Sequence, residues 1–132
     1  MCTGSIYGFC KSFARITGKE INKIENGLLN QETVCTDATV VTTDGKQGYI
    51  RNFRSNSAVL YVAMEKKSRA ALDAVSFLAS YTGKLEHGHE TALYHYGTGH
   101  GECNVHLLRY LKKTKKKQVH NWHLAWQICC AV

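Results

Sequence analysis

The chain has 132 residues, of which 44% are apolar, and a formal net charge of +7. This length and composition are typical of one globular domain and argue against a wholly disordered chain. No apolar run approaches the roughly 18 residues of a membrane-spanning helix, and the N-terminus lacks the pattern of a signal peptide. We therefore predict a cytoplasmic protein with no membrane partner, whose positive charge favours an anionic partner such as nucleic acid.

The cysteines indicate the redox environment of the chain, and the missing prolines bear on whether it is a whole protein. None of the six cysteines forms a paired C-x-x-C spacing, so without an export signal they are expected to be reduced thiols. The chain has no proline and ends on an apolar run at Val132. Both features suggest a piece of a longer protein.

The first half of the chain predicts one helix and three strands. Residues 10–28 carry apolar side chains three or four apart, typical of an amphipathic helix with a break near Gly18. Residues 33–43, 49–53 and 58–64 have the composition of strands. The first two are joined by a tight turn at Asp44 and Gly45, where glycine accepts a positive φ.

The second half alternates helices and strands. Residues 66–81 predict a helix whose start is not clearly capped at Ser68, and 83–87 a short strand. A short helix at 90–97 ends at Gly97, an extended piece covers 101–103, and Asn104 is predicted to cap a last helix. The order, a helix followed by β-β-β-α-β-α-β-α, is expected of an RNase H-like α/β domain, although other α/β sheets share it.

Asp37 is the one charged residue in a strand of threonines and valines. An acid inside a strand core costs several kcal/mol unless it is paired or metal-bound. Phosphodiester chemistry uses divalent metals held by carboxylates from different elements. Asp37 is therefore either a metal ligand or a residue on a solvated strand face.

Three spaced motifs carry a resemblance: T-D-x-T at 36–39, G-x-L-x-H-x-H at 83–89, and H-x-x-C-N-x-H-L-L-R from His100 to Arg109. With their surroundings, over about residues 8–125, they resemble the central catalytic domain of bacterial insertion-sequence transposases of the IS66 family, in the DDE, RNase H-like superfamily. The resemblance implies DNA transposition, that is, metal-dependent cleavage and strand transfer at transposon ends. It also implies Mg²⁺ or Mn²⁺ as cofactor and DNA as partner, and it leaves a homo-oligomer open.

By this resemblance Asp37 matches the first catalytic acid and metal ligand, while Gly88 stands where the second acid would be. The third acid, a glutamate, is expected beyond Val132. We therefore expect an N-terminal helical segment at 1–30 and a partial catalytic domain at 31–132, incomplete at its C-terminal side. We expect this chain to be inactive and to bind little or no metal, unless Glu86 or Glu90 replaces the missing acid.

The histidine-rich segment and the lysine run keep alternatives open. His87, His89, Cys103, Asn104 and His106 either shape the site, as the resemblance implies, or form a transition-metal site. The lysines of the last helix either contact DNA phosphates or form a solvated face; they are Lys112, Lys113, Lys115, Lys116 and Lys117. The alternative functions are a non-catalytic basic DNA-binding remnant and a His/Cys metal-binding interaction protein.

Overall fold

The computed structural model describes residues 3–115, so the predictions for Lys116 and Lys117 lie outside the described residues. The helices are α1 (Thr3–Leu29), α2 (Arg69–Asp73) and α3 (Asn104–Lys115), with short 3-10 turns at Leu78–Ser80 and Thr91–His95. The strands are β1 (Thr33–Thr43), β2 (Lys46–Arg54), β3 (Val59–Met64), β4 (Lys84–His87) and β5 (Gly99–Glu102).

The five strands form one mixed sheet in the order β3-β2-β1-β4-β5. β2 is antiparallel to both β1 and β3, whereas β4 is parallel to both β1 and β5. The turn between β1 and β2 has positive φ at Asp44 (51°) and Gly45 (73°), as the favoured two-residue hairpin turn requires. The α/β class and the five strands are confirmed, with β1 at the centre of the sheet.

The core lies on one face of the sheet. Val34, Phe53 and Leu85 project from it and are fully buried. The Phe77 ring packs edge-on against Phe53, with the centroids 5.1 Å apart. The last turns of α1 close this face through Leu28, which is also fully buried. Because side chains alternate along a strand, Asp37 belongs to the opposite face of the sheet.

The division of the chain into segments 1–30 and 31–132 stays a prediction.

Three predictions about the helices need correction. α1 runs unbroken through Gly18. The helix predicted over 66–81 is reduced to α2 and a 3-10 turn, because Val75, Phe77 and Leu78 are all buried and a straight helix would turn Phe77 away from Val75. Ser68, set aside as a cap, does cap α2, since its Oγ accepts a hydrogen bond from the Ala71 N–H.

The later helical predictions were also inexact. The short helix predicted at 90–97 is a 3-10 turn. α3 begins at Asn104, so Asn104 is its first residue rather than its cap. The Cys103 carbonyl accepts from the N–H groups of His106 and Leu107 (2.9 and 3.1 Å). No helix within residues 3–115 is long and apolar enough to cross a membrane.

Candidate functional site

The parallel pairing of β1 with β4 brings the two predicted acid positions together. Cys35 is the register partner of Glu86. Continuing this register by two residues places Asp37 opposite Gly88, immediately after the end of β4. Since side chains two apart on a strand share a face, Cys35 and Asp37 both lie on the face opposite the core.

Asp37 occupies a solvated position on this face, with 56% of its side chain exposed. Its Oδ1 accepts a hydrogen bond from the N–H of Ala38 (2.8 Å), and its own N–H donates to Oδ1 of Asn52 (3.1 Å). The carboxylate of Asp37 is therefore accessible to solvent, and its role as a metal ligand stays a prediction.

The imidazole of His106 fills the space beside Gly88. A Cβ at residue 88 would lie 2.9 Å from Cγ and 3.0 Å from Nδ1 of His106. Nε2 of the same ring lies 4.0 Å from Oδ2 of Asp37, while Nδ1 is buried without a hydrogen-bond partner. His106 thus stands between the two predicted acid positions.

Two backbone contacts hold α3 in this place. The Cys103 N–H, just before the helix, donates to the carbonyl of His87 at the end of β4 (3.0 Å). The Tyr110 hydroxyl donates to the carbonyl of Gly88 (3.3 Å). Cys103 and His106 therefore lie beside Gly88, whereas Asn104 is exposed on the first turn of α3; their site-shaping role stays a prediction.

The two glutamates considered as replacement acids have different partners. Glu86 accepts a hydrogen bond from the Cys35 thiol (3.2 Å); burial, followed by this carboxylate, raises the pKa of Cys35. Glu90 forms an ion pair with Arg51 (2.5 Å), whose side chain is fully buried. Arg51 also donates to the Thr36 hydroxyl (3.3 Å), so Glu90 is committed to a structural pair.

The histidines of the segment differ in burial and in their partners. His87 is buried, and its Nδ1 accepts from the N–H of Glu90, while Nε2 faces Nδ1 of His100 at 3.3 Å. His89 has a positive φ of 60° and is exposed, with its ring paired to Glu102. Within residues 3–115, no three or more His, Cys, Asp or Glu side chains are grouped so as to hold a metal ion.

We expect the stability of the chain to fall below about pH 6.5 because of His87. Burial, followed by the nearby His100, lowers the pKa of His87 in the folded chain. The stabilisation from a neutral His87 is therefore present above its unfolded pKa of about 6.5 and is lost as pH falls through the folded value. Denaturant unfolding should give a smaller free energy of unfolding at pH 5.5 than at pH 7.5.

His87→Gln should reduce this loss, whereas His95→Gln, at an exposed position, should leave it unchanged. An equal loss in wild type and His87→Gln would assign the pH dependence to other groups.

A cavity of about 410 Å³ opens beside Asp37, Gly88 and His106. Lys67 and Arg109 also line it, and the Lys67 ammonium donates to the Ala38 carbonyl (3.1 Å). Sequence reasoning missed both cations. Arg109 is the last residue of the His100–Arg109 motif, which was a signal that could have identified it. Nothing in the local sequence identifies Lys67, because the turn after β3 is what brings it near Asp37.

The predicted lysines lie on α3, farther along from Arg109. Lys112 and Lys113 are exposed, and Lys115 is the last described residue of the helix. Arg109, Lys112 and Lys113 are spaced i, i+3, i+4, which places them on one face of the helix. This cationic face therefore begins at the cavity with Arg109.

The fold and this site define an α/β domain with one free acid on its central strand, beside the end of a parallel strand and a group of cations. The family model described as "Transposase IS66 family" matches residues 1–132, which is the whole chain. The chain therefore belongs to the IS66 family of transposases, a membership that connects it with transposition. Neither the curated proteins nor the solved structures gave a match.

Proposed function

We propose that this chain is an RNase H-like domain from a DNA transposition protein, and that it binds DNA without cutting or joining it. The strand order β3-β2-β1-β4-β5, with β2 antiparallel to its neighbours, supports the fold assignment. The acid Asp37 on the central strand β1, opposite the first residue after β4, supports the site assignment. Family membership supports the link to DNA.

The proposed loss of catalysis rests on one observation: Gly88, which has no side chain, lies opposite Asp37 where a second acid would be needed. Two-metal phosphodiester chemistry needs carboxylates from different elements to hold the ions. In the cavity Asp37 is the free carboxylate, because Glu90 is held by Arg51. Mg²⁺ bound through one or two carboxylates usually relies on substrate phosphates as well. The described residues therefore do not fit a pair of divalent ions, and we derive no chemical step through them.

The cations beside the cavity support DNA binding. Lys67 and Arg109 line the cavity, and Lys112 and Lys113 extend the positive charge along α3. Lysine and arginine side chains that neutralise phosphates release counterions, so binding weakens as salt rises. A duplex laid across α3 would contact these side chains without any base-specific readout.

The test measures binding and cleavage on the same duplex DNA. Fluorescence anisotropy at 50 and 200 mM salt should show salt-dependent binding, with no cleavage or strand transfer in Mg²⁺ or Mn²⁺. The double variant Arg109→Ala/Lys113→Ala should bind about tenfold more weakly and lower the salt slope by about 2.

The variant Lys11→Ala/Lys19→Ala removes the same charge from exposed positions of α1 and serves as the control. Equal losses in both double variants would contradict a DNA site on α3. Metal-dependent cleavage that Asp37→Asn abolishes would contradict the loss of catalysis.

A further inference from the structure

Helix α1 carries an apolar surface that the rest of the described chain leaves uncovered. Every residue from 3 to 16 is exposed, and within α1 Leu28 is the buried residue. At about 1.5 Å per residue, these fourteen residues span roughly 20 Å of helix. The C-terminal turns of α1 thus pack on the core, whereas its N-terminal half contacts little of the described chain.

Four of the exposed side chains form a continuous stripe, which we call the α1 seam. It consists of Ile6, Phe9, Phe13 and Ile16, which are 49%, 71%, 59% and 71% exposed. Their spacing of three, four and three residues is the a/d spacing by which helices pair side by side. The rings of Phe9 and Phe13 stack on each other, with centroids 6.3 Å apart, so the seam presents an aromatic centre.

The charges of α1 are arranged to suit pairing of the helix with itself. At 100° per residue, Lys11 and Arg15 lie on the side of the helix away from the seam. Two seams in contact therefore direct these like charges outward into solvent. The seam ends where Glu20 and Lys23 pair with each other (2.7 Å), so this polar pair limits the contact to the exposed half of the helix.

We propose that the α1 seam binds the α1 seam of a second copy of this chain, forming a two-fold helix pair. The four side chains expose roughly 500 Å² per copy, so the pair can bury at most about 1,000 Å², close to the lower bound for a specific interface. An apolar patch of this size is near the upper end of what a monomer exposes, and such patches often have a function. An interface this small predicts a weak, reversible dimer. The inference does not depend on DNA binding.

Sedimentation equilibrium of the full chain between about 1 and 200 µM tests this pairing. The average mass should rise from that of the monomer towards that of the dimer. The double variant Phe9→Glu/Ile16→Glu should stay monomeric throughout, which corresponds to at least a tenfold weaker association. The variant Val59→Glu/Tyr61→Glu replaces two exposed apolar residues of β3 and should dimerise as the wild type does.

Three results would overturn the proposal. The first is a wild-type chain that is monomeric at 200 µM. The second is a seam variant whose thermal midpoint at 1 µM lies well below that of the wild type, because the seam would then be covered within the monomer. The third is co-sedimentation of the chain with anionic phospholipid vesicles that the seam variant abolishes while its self-association is unchanged, because the seam would then face a membrane.

Discussion

Replacing Gly88 with alanine is expected to lower the free energy of unfolding by about 1–3 kcal/mol, as overpacking a filled space usually does. The new Cβ would lie 2.9 Å from Cγ of His106. This atom is near the root of the ring and cannot move without shifting the side chain or α3. Urea unfolding of the purified variant measures the effect.

The same clash predicts that the effects of substitutions at Gly88 and His106 on stability are not additive. In a His106→Ala background the ring is gone, so Gly88→Ala should cost little, and the double-mutant cycle should give a coupling of about 1 kcal/mol or more. Gly101→Ala is the matched control, because a Cβ there meets Glu86 at an ordinary 3.7 Å. Additive effects of Gly88→Ala and His106→Ala would show that the ring does not occupy this space.

Gly88→Asp introduces the same clash and is expected not to restore strand transfer. The acid would face Asp37 across the β1–β4 pairing, which would give the cavity two free carboxylates where the family chemistry, by the resemblance, uses three. His106 would also have to leave its place before the new carboxylate could be accommodated. Turnover by Gly88→Asp alone would contradict both points.

Replacing Glu90 with alanine is expected to destabilise the chain by about 3–5 kcal/mol. Arg51 is fully buried and its Nη2 pairs with Glu90, while its Nε already lacks a hydrogen-bond partner. Without Glu90, the guanidinium would keep its charge in the interior with the Thr36 hydroxyl as its remaining side-chain partner. Urea unfolding at pH 7.5 measures the loss.

Two further variants show whether the loss is due to the unpaired charge. Arg51→Met/Glu90→Leu removes both charges and should recover most of the stability, because apolar residues of similar size replace buried ion pairs at little cost. Glu20→Ala, which breaks the exposed pair with Lys23, should cost less than about 1 kcal/mol. A comparably small loss in Glu90→Ala would mean that water reaches Arg51.

The candidate site could be predicted from sequence only in part. The motif around Asp37 and Gly88 identified two positions that the sheet then places opposite each other, although they are 51 residues apart. Alternation along β1 gives Asp37 to the solvated face of the sheet, which the sequence had left as one of two alternatives. The transition-metal alternative for the histidines stays a prediction, and one short turn sends His87 inward and His89 outward.

The sequence alone determined the local elements and the family: α1 from its helical spacing, the β1–β2 hairpin from Asp44 and Gly45, and the relationship to transposases from motifs in order along the chain. These features depend on residues close together in the chain, so local sequence patterns are enough to predict them. The tertiary structure decided that His106 fills the space beside Gly88, that Glu90 pairs with Arg51 across 39 residues, and that the α1 seam is left exposed. Each of these depends on strand register and on which faces are covered, and no local pattern specifies either.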